Sequence, residues 1–170
     1  MLNKIFPPAE QDAIALLKAD HARVKALFKE VEDLSDRAHA ARAKLFAKID
    51  QELTIHTRVE EQIFYPAFKA KTKGNSDERD EVLEAYEEHA SAKDLIAKLE
   101  RLDPKNETYK PKLQVLSEMI AHHVKEEETT LFPEARKLLG EDELIELARQ
   151  IESMKAKVAA KTRARRKAAA

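Results

Sequence analysis

The 170-residue chain has no cysteine and only two glycines. Without thiolates there can be no disulfide, no Cys-ligated zinc and no iron–sulfur cluster, so any metal must be held by histidine nitrogen and carboxylate oxygen. Glycine scarcity also removes the phosphate-cradling loop and the nucleophile elbow. Apolar runs never approach the roughly 18 residues needed to cross a bilayer, and Met1–Ile5 is too short and mixed to serve as a secretory signal. The expectation is a cytoplasmic protein with no membrane partner.

What is present points to helices. Apolar residues make up 43% and charged residues 37% of a chain with few β-branched clusters, a composition suited to an all-α domain. Basic and acidic residues nearly balance, at 31 and 32. However, Lys155, Lys157, Lys161, Arg163, Arg165, Arg166 and Lys167 all fall in the last sixteen residues, leaving the body acidic. A solvated, fraying helix end is the plainer reading of this tail, which still leaves contact with nucleic acid open.

Helical spacing runs through Ile14, Leu17, His21, Val24, Phe28 and Val31, which predicts a first helix over about 9–35. The stripe Phe46, Ile49, Leu53, His56, Glu60, Ile63, Ala67 predicts a second over about 38–71, stopped near Gly74. Val82, Tyr86, His89, Ile96 and Leu99 mark a third, ending before Asp103-Pro104. Leu113, Leu116, Ile120, His123, Glu127 and Leu131 mark a fourth, with Pro111 near its start and Gly140 at its end. Leu144, Leu147, Ile151, Met154 and Val158 suggest a fifth, over about 141–161. The division expected is a bundle over 1–140 and a C-terminal helix with a basic tail over 141–170.

The chain also repeats itself. Asp20-His21-Ala22 matches Glu88-His89-Ala90 at an offset of 68 (89 − 21), and His56-xxx-Glu60-Glu61 matches His123-xxx-Glu127-Glu128 at an offset of 67 (123 − 56). Two similar hairpins, each with one lone histidine and one His-x-x-x-Glu, imply an internal pseudo-twofold axis. His and Glu four apart share a helix face and can reach one ion. These residues occupy places in apolar stripes, where an unpaired carboxylate would cost several kcal/mol or more. Bound cations would compensate them, and nitrogen and oxygen donors without sulfur suit iron, manganese or zinc. In a chain this rich in glutamate, one His-x-x-x-Glu can arise by chance. Two in matching places, each followed by an aromatic-Pro step at Tyr65-Pro66 and Phe132-Pro133, are harder to dismiss.

At these residues the sequence resembles the hemerythrin-like (HHE cation-binding) family, over about residues 10–140. The resemblance implies an up-down-up-down four-helix bundle, to which the fifth helix expected from spacing adds a C-terminal helix, an all-α fold. It also implies an oxo- or hydroxo-bridged di-iron centre held by His21, His56, Glu60, His89, His123 and Glu127. Ferritin-like proteins instead carry Glu-x-x-His, which is absent at these positions. The oxygen carriers of the family have a further histidine one turn from the third-helix histidine, where this chain has Ala85 and Lys93. An open position favours sensing, iron handling or peroxide chemistry, as in oxidative-stress response, over reversible transport. The expected small-molecule partner is therefore oxygen, nitric oxide or peroxide, with a catalase-like enzyme or a zinc or structural bundle as alternatives.

Other residues carry weaker signals. His122 lies about 100° from His123 and reads as a surface or supporting residue. His39 falls in the turn before the second helix. Glu61 and Glu128 either support the proposed ligands or replace them if a helix is rotated. Phe64, Tyr65 and Phe132 suggest an aromatic wall, and Pro66 and Pro133 should bend or end their helices just beyond the ligands.

Overall fold

The computed structural model describes residues 11–72, 74 and 76–168, with the side chains of residue 76 and of 162–168 excepted. Thus the first two residues of the expected 9–35 helix, and the side chains of Arg163, Arg165, Arg166 and Lys167, lie outside the described residues. Helices are α1 (Ala13–Glu32), α2 (His39–Val59), α3 (Tyr65–Lys71), α4 (Ser76–Glu100), α5 (Tyr109–Glu126), α6 (Phe132–Leu139) and α7 (Glu141–Ala168). No strand occurs among the described residues. Short connections make α1–α2 and α4–α5 antiparallel hairpins, and these form an up-down-up-down bundle with α7 as the additional helix.

The ends follow local chemistry. Asp12 caps α1 by accepting from the Ala15 amide at 2.8 Å. Gly140 stops α6 at φ +74°, a backbone region open to glycine, and its carbonyl accepts the Leu144 amide at 3.2 Å to start α7.

The expected kinks at Pro66 and Pro133 take a different form. Five-residue π-helical segments, Glu60–Phe64 and Glu127–Leu131, precede the prolines and join α2 to α3 and α5 to α6. In each, an amide bonds five residues back, Tyr65 to Glu60 and Phe132 to Glu127. A proline in a regular helix lacks its amide and presses its ring on the carbonyl four residues earlier, and the wider turn makes room for the ring. The consequence is functional: Tyr65 and Phe132 stand one π turn beyond Glu60 and Glu127, facing the same interior.

The core has two apolar halves. Ile14, Leu17, Phe64, Phe68, Val82, Leu131 and Phe132 pack at one end with Leu144, Leu147 and Ile151 of α7. Val24, Phe28, Phe46, Ile49, Leu53, Ile96, Leu113 and Ile120 pack at the other. Between them lies a buried polar layer containing Asp20, His21, His56, Glu60, His89, His123 and Glu127. Among the described residues, no helix is long and apolar enough to cross a membrane.

Candidate metal centre

All six sequence-derived candidates converge in this layer, and none is more than 4% exposed. His21 meets His56 through facing Nε2 atoms 3.1 Å apart, and His89 meets His123 in the same way at 3.1 Å. The carboxylates cross between the pairs. Glu60 Oε2 lies 3.1 Å from His56 Nε2 and 3.3 Å from His89 Nε2. Glu127 Oε2 lies 3.1 Å from His21 Nε2 and 3.4 Å from His123 Nε2. The six donors form two overlapping groups, His21–His56–Glu60–Glu127 and Glu60–His89–His123.

The other ring nitrogen of each histidine faces a carboxylate from a different helix. His21 Nδ1 donates to Glu128 at 2.8 Å, His89 Nδ1 to Glu61 at 3.0 Å, and His123 Nδ1 to Glu88 at 2.7 Å. His56 Nδ1 faces Asp20 at 3.5 Å. Glu61 and Glu128 therefore orient the lone histidines and are not the inward donors. Asp20 and Glu88 were missed in the sequence reading, although both immediately precede a lone histidine in the repeat. Such outer carboxylates fix the tautomer and turn each Nε2 lone pair inward.

That arrangement fits cations. With Nδ1 protonated, facing Nε2 atoms present lone pairs to each other, a repulsive contact unless a proton or an ion lies between them. Glu60 Oε1, Glu127 Oε2 and His56 Nδ1 are buried without a hydrogen bond, which is unusual for polar atoms in a core. The proton affinities reflect the same crowding. Burial, followed by the Glu127 charge, pushes the Glu60 carboxyl well above its ordinary value. For Glu127 burial acts upward, but the His21 imidazole 3.1 Å from its Oε2 and the charges of His123 and His21 outweigh it and hold the carboxyl at about 2. Burial lowers His56 to about 4 and also lowers His89. For His21 and His123 burial again acts downward, but the neighbouring carboxylates of Glu127 and Glu88 respectively raise them.

The aromatic residues differ between the halves. The Tyr65 hydroxyl donates to Glu127 Oε1 at 2.7 Å and lies 3.5 Å from His89 Nε2. Its repeat partner Phe132 stacks on His21, with centroids 5.6 Å apart. Burial and the Glu60 and Glu127 charges push the Tyr65 phenol well above its usual value, so it stays a hydrogen-bond donor. Where a further histidine would stand, Lys93 pairs with Glu61 at 2.5 Å and Ala85 is buried. His122 is 61% exposed beside Glu126, as expected of a surface residue. His39 opens α2 and lies 3.1 Å from the Pro104 carbonyl, bridging to the α4–α5 loop.

Comparison with known proteins agrees with this geometry. A hemerythrin HHE cation-binding domain-containing protein from Mycobacterium kansasii superposes with a TM-score of 0.72 and 26% identity, covering 90% of this chain and 93% of that one. A protein named DNA nickase from Nostoc sp. strain PCC 7120 is 27% identical over 143 residues, 84% of this chain. The match spans 39% of that relative's length. The family model for the hemerythrin HHE cation-binding domain matches residues 12–135, most of the chain and all six inward donors, and the chain belongs to that family.

Proposed function

We propose that the chain holds a non-haem di-iron centre on His21, His56, Glu60, His89, His123 and Glu127, and that it binds or reacts with oxygen, nitric oxide or peroxide. The observation that carries this reading is the pair of facing Nε2–Nε2 contacts, each 3.1 Å, with one carboxylate oxygen of Glu60 and one of Glu127 reaching both pairs. Two histidine pairs sharing two carboxylates suit two ions better than one. A bound iron pair would supply redox electrons that the side chains lack.

The protein's own residues then set what can react. Glu60 and Glu127 balance positive charge, and the four outer carboxylates hold the imidazoles in place. Tyr65 keeps a proton on its oxygen, directed at Glu127 Oε1. A 400 Å³ cavity between α1 and α5 reaches His21, and beside its charged lining residues Phe28, Ile120 and Val124 give it an apolar wall that suits a small neutral molecule. The name of the Nostoc relative invites phosphodiester chemistry, but six donors at most 4% exposed are out of reach of a duplex backbone. A role in sensing, storage or oxidative-stress response fits a centre with an open position, and a catalase-like turnover is the enzymatic version of the same chemistry.

Anaerobic titration with ferrous iron should saturate at about two ions per chain, and saturation at one would overturn the dinuclear reading. Mixing the loaded, reduced protein with oxygen, and separately with peroxide, should give rapid oxidation or gas release. A stable, reversible oxygen adduct would instead make the protein a carrier.

A further inference from the structure

The two hairpins repeat in sequence but are not covered alike. Over the first, α7 packs Leu144, Leu147, Ala148 and Ile151 against Ala13, Leu17, Val59, Ile63 and Phe64, with Leu16 at the edge. Lys155 then closes the end by pairing with Asp20. Among the described residues, no helix lies over the matching groove between α4 and α5. Shifting by 68 or 67 residues, Ala13, Leu16, Val59 and Ile63 become Glu81, Glu84, Glu126 and Thr130. Three apolar positions are replaced by glutamate.

This groove opens into a 220 Å³ cavity whose inner wall includes His123 and Glu127. Glu127 is 2% exposed, and its Oε2 has no hydrogen bond, so an unsatisfied inward donor lies at the end of the acidic channel. Beside it, in an adjoining cavity that shares Glu84, Glu88 and His123 with the first, His122 Nε2 lies 3.2 Å from Glu126 Oε1 and 3.8 Å from Glu88 Oε1, a second metal-capable group. Glu88 joins the two levels, because its Oε2 accepts from His123 Nδ1 at 2.7 Å. The cavity that reaches His21 from the other side is lined by Lys25, Lys29 and Lys125 together with Glu32 and Glu128, a mixed lining without the single sign of charge that the groove carries.

We propose that the acidic groove between α4 and α5 is the route by which a divalent cation reaches the buried centre, with Glu88, His122 and Glu126 as its outer capture site. The inference rests on the di-metal reading but adds direction: ions arrive on the second hairpin's side, where His89 and His123 stand, while α7 seals the first. A cleft lined by one sign of charge raises local counter-ion concentration and arrival rate, and salt weakens this effect.

The test is anaerobic stopped-flow uptake of cobalt(II), alongside equilibrium occupancy. At low ionic strength the triple variant Glu81→Gln/Glu84→Gln/Glu126→Gln should take up cobalt about tenfold more slowly than wild type. Its final occupancy of the buried centre, measured after weakly held ions are removed by desalting, should be unchanged, and the deficit should shrink with added salt. An equal-charge control, Glu30→Gln/Glu107→Gln/Glu118→Gln on exposed positions, should keep the wild-type rate. Equal rates for the two triples would overturn the route and leave the centre standing. So would a loss of occupancy without slower uptake, or a change in sedimenting mass in the groove variant alone, which would mark the groove as a protein-docking surface. If wild-type protein takes up no ion at equilibrium, the di-metal reading itself falls.

Discussion

The α1–α2 hairpin and the α4–α5 hairpin bring equivalent donors to the centre but surround them differently. In the first, the carboxylate facing His56 is Asp20, 3% exposed and held by Arg23 and by Lys155 of α7. In the second, the carboxylate on His123 is Glu88, whose side chain is 24% exposed and borders an open groove. One internal repeat thus supplies a sealed half and an accessible half. Donor geometry can be duplicated while the solvent boundary around it is not.

The largest expected effect lies where the halves meet. Glu60→Ala and Glu127→Ala should each remove most bound iron, because each carboxylate reaches one histidine of both pairs and its loss leaves like-charged cations facing each other. Elemental analysis of purified protein would show this, with His39→Ala retaining wild-type iron. Equal iron in all three variants would break the symmetric bridge.

Covering by α7 should appear in stability. Leu144 is fully buried against the first hairpin, so Leu144→Ala should cost about 2–5 kcal/mol in urea unfolding. Leu83 on α4 is 44% exposed, and Leu83→Ala should change stability by no more than about 0.5 kcal/mol. Similar losses at both sites would mean that the second hairpin is also covered in solution.

A smaller contrast is expected among the outer carboxylates. Asp20→Asn and Glu88→Gln should each weaken metal affinity by about 10–100-fold in chelator competition. Asp20→Asn should be the stronger, since it also strands Lys155 in the sealed half, and the reverse order would invert the comparison.

The mildest effect is graded with pH. In the metal-free centre the carboxylate neighbours of His21 and His123 raise their proton affinity over the opposing effect of burial, and burial raises that of Glu60, so protons are held there more tightly than on free side chains. These protons must leave when cations bind. Apparent affinity should therefore rise with pH through the neutral range and fall as pH drops below it. Competition titrations that stay flat between about pH 6 and 8 would show that the histidines do not exchange protons for ions.

The donors themselves were legible because helical spacing converts sequence position into face. His56 and Glu60, four apart, had to lie together, and the repeat pointed to His123 and Glu127 as their partners. The orienting role of Glu61 and Glu128 stayed open, because rotating a helix by one residue exchanges neighbours, and only packing selects the rotation. Asp20 and Glu88 carried a faint signal, an acid before each lone histidine, but their reach to a histidine on another helix depends on interhelical distance.

The sequence by itself determined an all-helical chain, its repeat and the six polar residues among apolar stripes, since these depend on local period and residue chemistry. Tertiary structure alone decided the rest. Pro66 and Pro133 signalled a disturbed helix, but the π segments also require a packed interior that directs Tyr65 and Phe132 toward the donors. The apolar stripe of α7 announced burial without naming its site, because hydrophobic contact is non-directional. Its docking on the first hairpin sealed one side of the polar layer, and the glutamates of the second hairpin became a groove because, among the described residues, no helix was laid across them.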